Sequence, residues 1–284
     1  MRAGSPERGG EAAGGQVERF SPESLDEVGA LLLAAETRAA ARMRGGQLFV
    51  ESEEPGRPRM VLDLGRLSEL NRIEFDERLG LRLGAAVALQ DLPGFPPMHA
   101  YPMLLDGLGA LAHRPESPSL GELLGQAEVA GHVGCPLVCL AASTAVFGPH
   151  GWSEMGVEAL LARGAVAALQ PCEFLVDLRL PPPVPGSVGA YVSGRDGGEP
   201  GGAAVFLVME QDCRTCCGAR VAVWRGEQAT ARVLEVERFL AGKALDQAVV
   251  QEAAILTADA TMVPPESLPA ADAIQEALRR LPRA

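Results

Sequence analysis

The sequence predicts an α+β chain that is α/β-like in its first part. Three observations carry this reading. A strand, a helix, a strand, a Gly45-Gly46 turn and a further strand follow one another near the N-terminus. Leu25, Val28, Leu31, Leu32 and Ala35 make one apolar face at helical spacing, whereas Ile73/Phe75 and Leu81/Leu83 alternate with polar residues as strands do. The length of 284 residues suits two or three small lobes that share cores.

Residues 16–20 predict a short strand. The helical pattern over 24–38 follows, with Ser24 as N-cap and Asp26 and Glu27 suiting its first turn. Residues 40–43 form the next strand candidate and run into Gly45-Gly46, and residues 60–64 form another. Over 70–89 the period changes to that of a β-hairpin, broken at Asp76-Glu77-Arg78. Helical patterns are expected over 102–113 and 136–147. A strand over 172–180 then stops at Pro181-Pro182-Pro183. Beyond it, 193–202 reads as a Gly-rich loop, and 203–209 and 219–224 as paired strands joined by a Cys-containing turn. Helices are expected over 235–240 and 245–256, and a final amphipathic one over 272–281. The expected division is a flexible tail over 1–16 and lobes over 17–78, 79–183 and 184–284.

Hydrophobic residues make up 47% of the chain but aromatics only 4%, so aliphatic side chains must fill the core. A net charge of −12 repels phosphate backbones, which argues against a nucleic-acid partner. No basic amphipathic stretch suits an anionic membrane surface. The longest stretch free of Lys, Arg, Asp and Glu, 129–153, contains prolines and glycines and makes a poor membrane span. Without an apolar leader in residues 1–15, the chain reads as cytoplasmic.

The six cysteines (135, 139, 172, 213, 216 and 217) read as free thiols. Cys135, Cys139, Cys213 and Cys216 leave a zinc or iron–sulfur site open as a minor reading, and Cys213 with Cys216 a reversible disulfide. The four histidines (99, 113, 132 and 150) have no zinc-ligand spacing. His132 reads as a core or solvated histidine, and no catalytic residue stands out.

Phe20-Ser-Pro-Glu-Ser-Leu-Asp-Glu, Arg44-Gly45-Gly46-Gln47-Leu48, Met60-Val-Leu-Asp-Leu and Leu67-Ser-Glu-Leu-Asn-Arg-Ile occur in that order. Leu81-Arg-Leu-Gly-Ala-Ala and Cys172-Glu-Phe-Leu-Val-Asp-Leu-Arg-Leu-Pro-Pro-Pro follow. This series resembles the flavin-carrying medium subunit of the xanthine dehydrogenase and aerobic carbon monoxide dehydrogenase (molybdenum hydroxylase) family, over roughly residues 17–281. The resemblance implies a two-lobed FAD-binding domain with a C-terminal lobe, and FAD as cofactor. It also implies two partners, a large subunit with the molybdenum cofactor and a 2Fe-2S small subunit. Electrons would pass through the flavin between iron–sulfur clusters and an external acceptor.

A pyrophosphate needs close approach of backbone N–H groups, which glycine permits. Carried over from the family, the first loop is Gly45, Gly46, Gln47 and Leu48, and the second contains Ser119 and Gly121. In the second loop Glu122 stands where the family has glycine and Leu123 where it has asparagine. The Glu122 carboxylate beside a pyrophosphate would be repelled by about 1 kcal/mol or more, and the family's aspartate falls near Gly134, which removes a ribose or adenine partner. In the C-terminal lobe, Tyr191-Val-Ser-Gly-Arg195 occupies the place of an aromatic-x-lysine segment, with Arg195 as the candidate positive charge. Two further readings stay open: a flavin-free structural subunit of such a complex, and a stand-alone flavoprotein.

Overall fold

The computed structural model describes residues 17–34, 39–44, 46–52, 59–111, 118–123, 127–162, 169–196, 199–210, 215–226, 229–261 and 269–280. Its strands form three sheets, with helices packed against them.

The first sheet runs β1 (Val17–Phe20), β4 (Arg59–Asp63), β3 (Gln47–Ser52), β2 (Ala39–Arg44). β1 and β4 are parallel, so the chain between them must cross over, and α1 (Leu25–Ala34) belongs to that crossover. Ser24 Oγ accepts the amide of Glu27 at 3.2 Å, the cap expected from the sequence.

The second sheet has the order β5 (Ile73–Asp76), β6 (Gly80–Gly84), β9 (Phe174–Leu180), β7 (Ser143–Gly148), β8 (Gly151–Gly156). Asp76 Oδ1 accepts the amides of Arg78 and Leu79 and closes the predicted hairpin. Because β5 and β6 pair with each other, that hairpin lies wholly in the second sheet. The boundary expected after residue 78 would cut it, and the change of sheet falls between Asp63 and Ile73. α2 (Ser68–Asn71), α3 (Pro102–Ala110), α4 (Leu120–Leu123), α5 (Ala127–Cys139) and α6 (Val157–Ala162) belong to these two lobes. One hydrophobic core joins both, from Leu25 and Leu62 to Leu83, Val146 and Val176.

The third sheet is an antiparallel run of β10 (Ser187–Asp196), β11 (Glu199–Met209), β12 (Cys216–Arg225) and β13 (Ala231–Arg232). α7 (Leu234–Leu240), α8 (Gln247–Thr261) and α9 (Ala270–Arg279) cover it. They enclose a separate core around Leu207, Val221, Val236 and Ile274.

Two expectations fail here. The pattern over 136–147 is not one helix: α5 ends at Cys139 and β7 begins at Ser143. Ala141, with φ 54°, turns the chain between them. β7 is buried almost throughout, so its apolar run carries no period that separates strand from helix. Cys135 and Cys139 accordingly sit at the end of α5 and not at a helix start. The stretch 193–202 is likewise no loop, since its described residues belong to β10 and β11, paired from Ser187↔Val208 to Asp196↔Glu199.

Tyr101, only 2% exposed, donates its hydroxyl to the Pro181 carbonyl at 2.8 Å and ties the start of α3 to the end of β9. Burial pushes its pKa from 10.0 to about 12. A folded-state value above the unfolded one gives stability that is full below pH 10 and is lost as pH rises toward 12. Tyr101→Phe should cost about 1 kcal/mol at neutral pH and make the loss of melting temperature above pH 10 shallower. Thermal melts of both chains across that window check it, and an unchanged alkaline limb would show that Tyr101 does not titrate on unfolding. Buried Tyr191 and the buried thiols of Cys135 and Cys139 are also raised and add to the limb with the same sign.

Candidate functional site

The first predicted loop is the β2–β3 turn. Arg44 pairs with Gln47, leaving a two-residue connection, the tightest a hairpin allows. Gly45 lies outside the described residues. Gly46 has φ +74°, a value glycine adopts freely. Among the described residues nothing lies within 4 Å of where its Cβ would be, and the turn is open to them on that side. Its carbonyl accepts the Leu64 amide at 3.0 Å, which anchors the turn to the end of β4. Gln47 is partly exposed and pairs with Asp63 of β4. Leu48 has no exposed surface and packs in the shared core, so its side chain serves the fold and offers nothing to a ligand.

The second loop runs beside residues 85–89. Ser119 bridges Ala88, and the Leu89 amide donates to the Pro118 carbonyl at 3.1 Å. Leu120 donates to Val87 O at 3.0 Å, Gly121 to Ala85 O at 2.7 Å and Glu122 to Ser119 O at 3.1 Å. The Ser119 hydroxyl, 5% exposed, donates to Glu122 Oε1 at 3.2 Å. A Cβ on Gly121 would stand 2.5 Å from Met43 Sδ and 3.2 Å from Ala85 O. α4 thus lies close on β2, with the Met43 thioether over Gly121. This contact also brings the two predicted loops together, because Met43 is on the strand that leads into the Gly46 turn. Sequence reasoning singled out both segments but not Met43 and Ala85, which join them.

A second constellation lies where the C-terminal lobe meets α5. The His132 ring stands edge-on to Trp224 with centroids 4.8 Å apart. Trp224 Nε1 donates to the Tyr191 hydroxyl at 2.9 Å, and His132 Nδ1 is 2.7 Å from the same oxygen. The Tyr191 hydroxyl thus accepts from the indole and shares a hydrogen bond with the imidazole of His132. Gly131 and Gly202 permit this: a Cβ on either would meet the Trp224 ring at 2.1 Å or the Tyr191 hydroxyl at 2.2 Å. Tyr191 is thus a buried structural residue, 5% exposed, with its amide held by Asp106 Oδ2 at 3.0 Å. Arg280 clasps Asp106 with both terminal nitrogens, at 2.8 and 2.9 Å, and reaches Gly189 O. Arg195 lies on β10, and its side chain is outside the described residues.

The space beside the second loop is narrow. A crevice lined by Ala85, Leu120, Val133, Leu137 and Leu175 holds about 10 Å³, close to the minimum for one water. A wider cleft of about 410 Å³ lies between β12–β13 and the end of α8, away from both loops. Cys135, Cys139, Cys172 and Cys216 are buried free thiols and Cys217 is exposed, while Cys213 lies outside the described residues. Among the described residues no group of three or more His, Cys, Asp or Glu side chains is placed to hold a metal ion. No described helix is long and apolar enough to cross a membrane.

Residues 15–183 match the family model described as the FAD binding domain in molybdopterin dehydrogenase. That is more than half of the chain, and the chain belongs to this family. No match was found among curated proteins. Among solved structures, quinoline 2-oxidoreductase from Pseudomonas putida 86 is similar with TM-score 0.72 and 21% identity, covering 92% of this chain and 96% of that one. The Hydrogenophaga pseudoflava carbon monoxide dehydrogenase lacking the Mo-pyranopterin moiety gives 0.73 and 21%, covering 98% and 100%. Reconstituted CO dehydrogenase from Oligotropha carboxidovorans gives 0.72 and 20%, covering 94% and 99%. At such identities the likeness is one of fold.

The residues present fit the family's dinucleotide unevenly. The first loop suits a pyrophosphate, since the Gly46 turn has positive φ and open space for a phosphate to approach. In the second loop the amides of Leu120, Gly121 and Glu122 already donate to protein carbonyls, and the Ser119 hydroxyl is turned to Glu122.

Proposed function

We propose that this chain is the FAD-carrying, electron-transferring subunit of a molybdenum-hydroxylase-type complex. Its partners in this reading are a large subunit with the molybdenum cofactor and a small 2Fe-2S subunit. The observation that carries it is the family match over residues 15–183, which spans both loops and includes the open turn at Gly46.

The residues assigned to the pyrophosphate are Gly45, Gly46 and Gln47, with Ser119 and Gly121 forming the wall opposite. Gly46 lets the main chain approach a phosphate oxygen, and the Gln47 amide is the side-chain donor beside it. Gly121 leaves room for the Met43 thioether, so the second loop lies close on β2. Leu48 fixes the turn from below as a core residue. When bound, the flavin supplies the redox chemistry and the protein supplies binding and orientation.

The test is a visible spectrum of the isolated chain, with the released cofactor identified after denaturation. Flavin bands near one FAD per chain are expected, as is co-purification of molybdenum and iron–sulfur proteins. No flavin even after incubation with FAD would leave the chain as a structural subunit. Flavin without partners would leave a stand-alone flavoprotein.

A further inference from the structure

The two loops assigned to the dinucleotide belong to different sheets, and each is fixed on its own side. The first is the β2–β3 turn, tied to the end of β4 by the Leu64 amide on Gly46 O at 3.0 Å. The second is tied to the chain after β6 by the Leu120 amide on Val87 O at 3.0 Å and the Gly121 amide on Ala85 O at 2.7 Å. Ala85 N in turn donates to Val176 O of β9 at 2.8 Å. Met43 stands between these two anchored loops. It lies on β2 opposite Leu48, one pair before Arg44 and Gln47 close the turn. Its side chain is partly buried against the shared core, and its Sδ lies 2.5 Å from where a Cβ on Gly121 would be. An unbranched thioether fills an irregular gap that a shorter β-branched strand residue leaves open.

We infer that Met43 is a positioning residue of the dinucleotide site: its thioether, seated over Gly121, sets the spacing between the Gly46 turn and the Ser119–Gly121 loop. The inference rests on the flavin reading above and deepens it. Met43 acts through the two loops and not on the cofactor itself. The combined bulk at positions 43 and 121 holds the loops at the spacing that the dinucleotide needs, so FAD affinity follows that sum and not either residue alone.

The experiment is a titration of the full chain with FAD, followed by quenching of flavin fluorescence, for the wild type, Met43→Ala, Gly121→Ala and the double variant. Thermal melts without FAD establish that each is folded. Met43→Ala empties the contact and Gly121→Ala crowds it, and each should weaken FAD by about tenfold. In the double variant the methyl added at 121 enters the space vacated at 43, and affinity should return to within about threefold of the wild type. Where Met43→Ala does not fold, Met43→Val, which keeps an apolar strand residue, replaces it in the same cycle with the same expectation. Losses that add in the double variant overturn the inference, since they report two separate packing defects. Unchanged affinity in either single variant overturns it as well. In both cases the wild type still binds FAD and the flavin reading stands. FAD bound by neither the wild type nor any variant overturns both the inference and the flavin reading.

Discussion

Gly84→Ala should unfold the chain at a markedly lower urea concentration, with a loss of about 3 kcal/mol or more. Gly84 ends β6, where the sheet passes under α2. A Cβ there would stand 2.2 Å from Leu70 O and 2.3 Å from Leu70 C, which are backbone atoms that no rotamer change can move. The α2 end cannot step aside cheaply, because Gly84 N donates to Arg72 O and Ala86 N to Leu70 O, both at 2.8 Å. Relief of the clash means loss of those bonds, each worth about 1 kcal/mol, on top of the overpacking itself. Gly109→Ala is the matched control. It lies in α3 with nothing among the described residues within 4 Å of its Cβ position. It should stabilise by up to about 1 kcal/mol through helix propensity. Equal midpoints for Gly84→Ala and wild type would mean that α2 shifts freely on the sheet.

Trp224→Ala should cost about 3–5 kcal/mol, the usual range for a buried indole. The side chain is 1% exposed and lies on the bare Cα of Gly131, edge-on to His132. Its removal opens a cavity where α5 meets the third sheet and takes away the donor to the Tyr191 hydroxyl. Trp224→Phe, which keeps most of the ring but not the N–H, should cost about 1–2 kcal/mol. The chain has two tryptophans, and the other, Trp152, is 53% exposed. Folded Trp224→Ala should therefore emit at longer wavelength than the wild type. An unshifted spectrum would place Trp224 in water and undo the packing argument.

Both predictions turn on glycines, and glycines show how far the sequence could be read. At Gly45-Gly46 the sequence was enough, because a hairpin needs left-handed backbone wherever two residues connect two strands. At Gly131, Gly107 and Gly202 it was not. Pro136 lacks the N–H that would bond His132 O four residues earlier, and Gly107 of α3 packs on that carbonyl, 2.4 Å from where its Cβ would be. Such a helix crossing has no local signature. The same holds for the pairing of Asp177 with Arg82: the Asp177 carboxylate has no exposure and accepts Arg82 Nε of neighbouring β6 at 2.6 Å, beside Arg179 Nε of its own strand at 2.9 Å.

By itself the sequence determined β1, α1, β2 and β4 of the first lobe, the hairpin within 70–89 and the final amphipathic helix, while β3 and α2 went unread. Those features rest on short-range physics: caps, turns and periodic apolar faces. The tertiary structure alone decided three further matters. It made residues 143–148 a strand, because a segment buried on both faces has no period to read. It set the flush contact of Gly121 with Met43, which joins two loops far apart in the chain. It also engaged the amides of the second loop with carbonyls of residues 85–89 and its own Ser119, a choice made by neighbouring backbone that no side-chain pattern records.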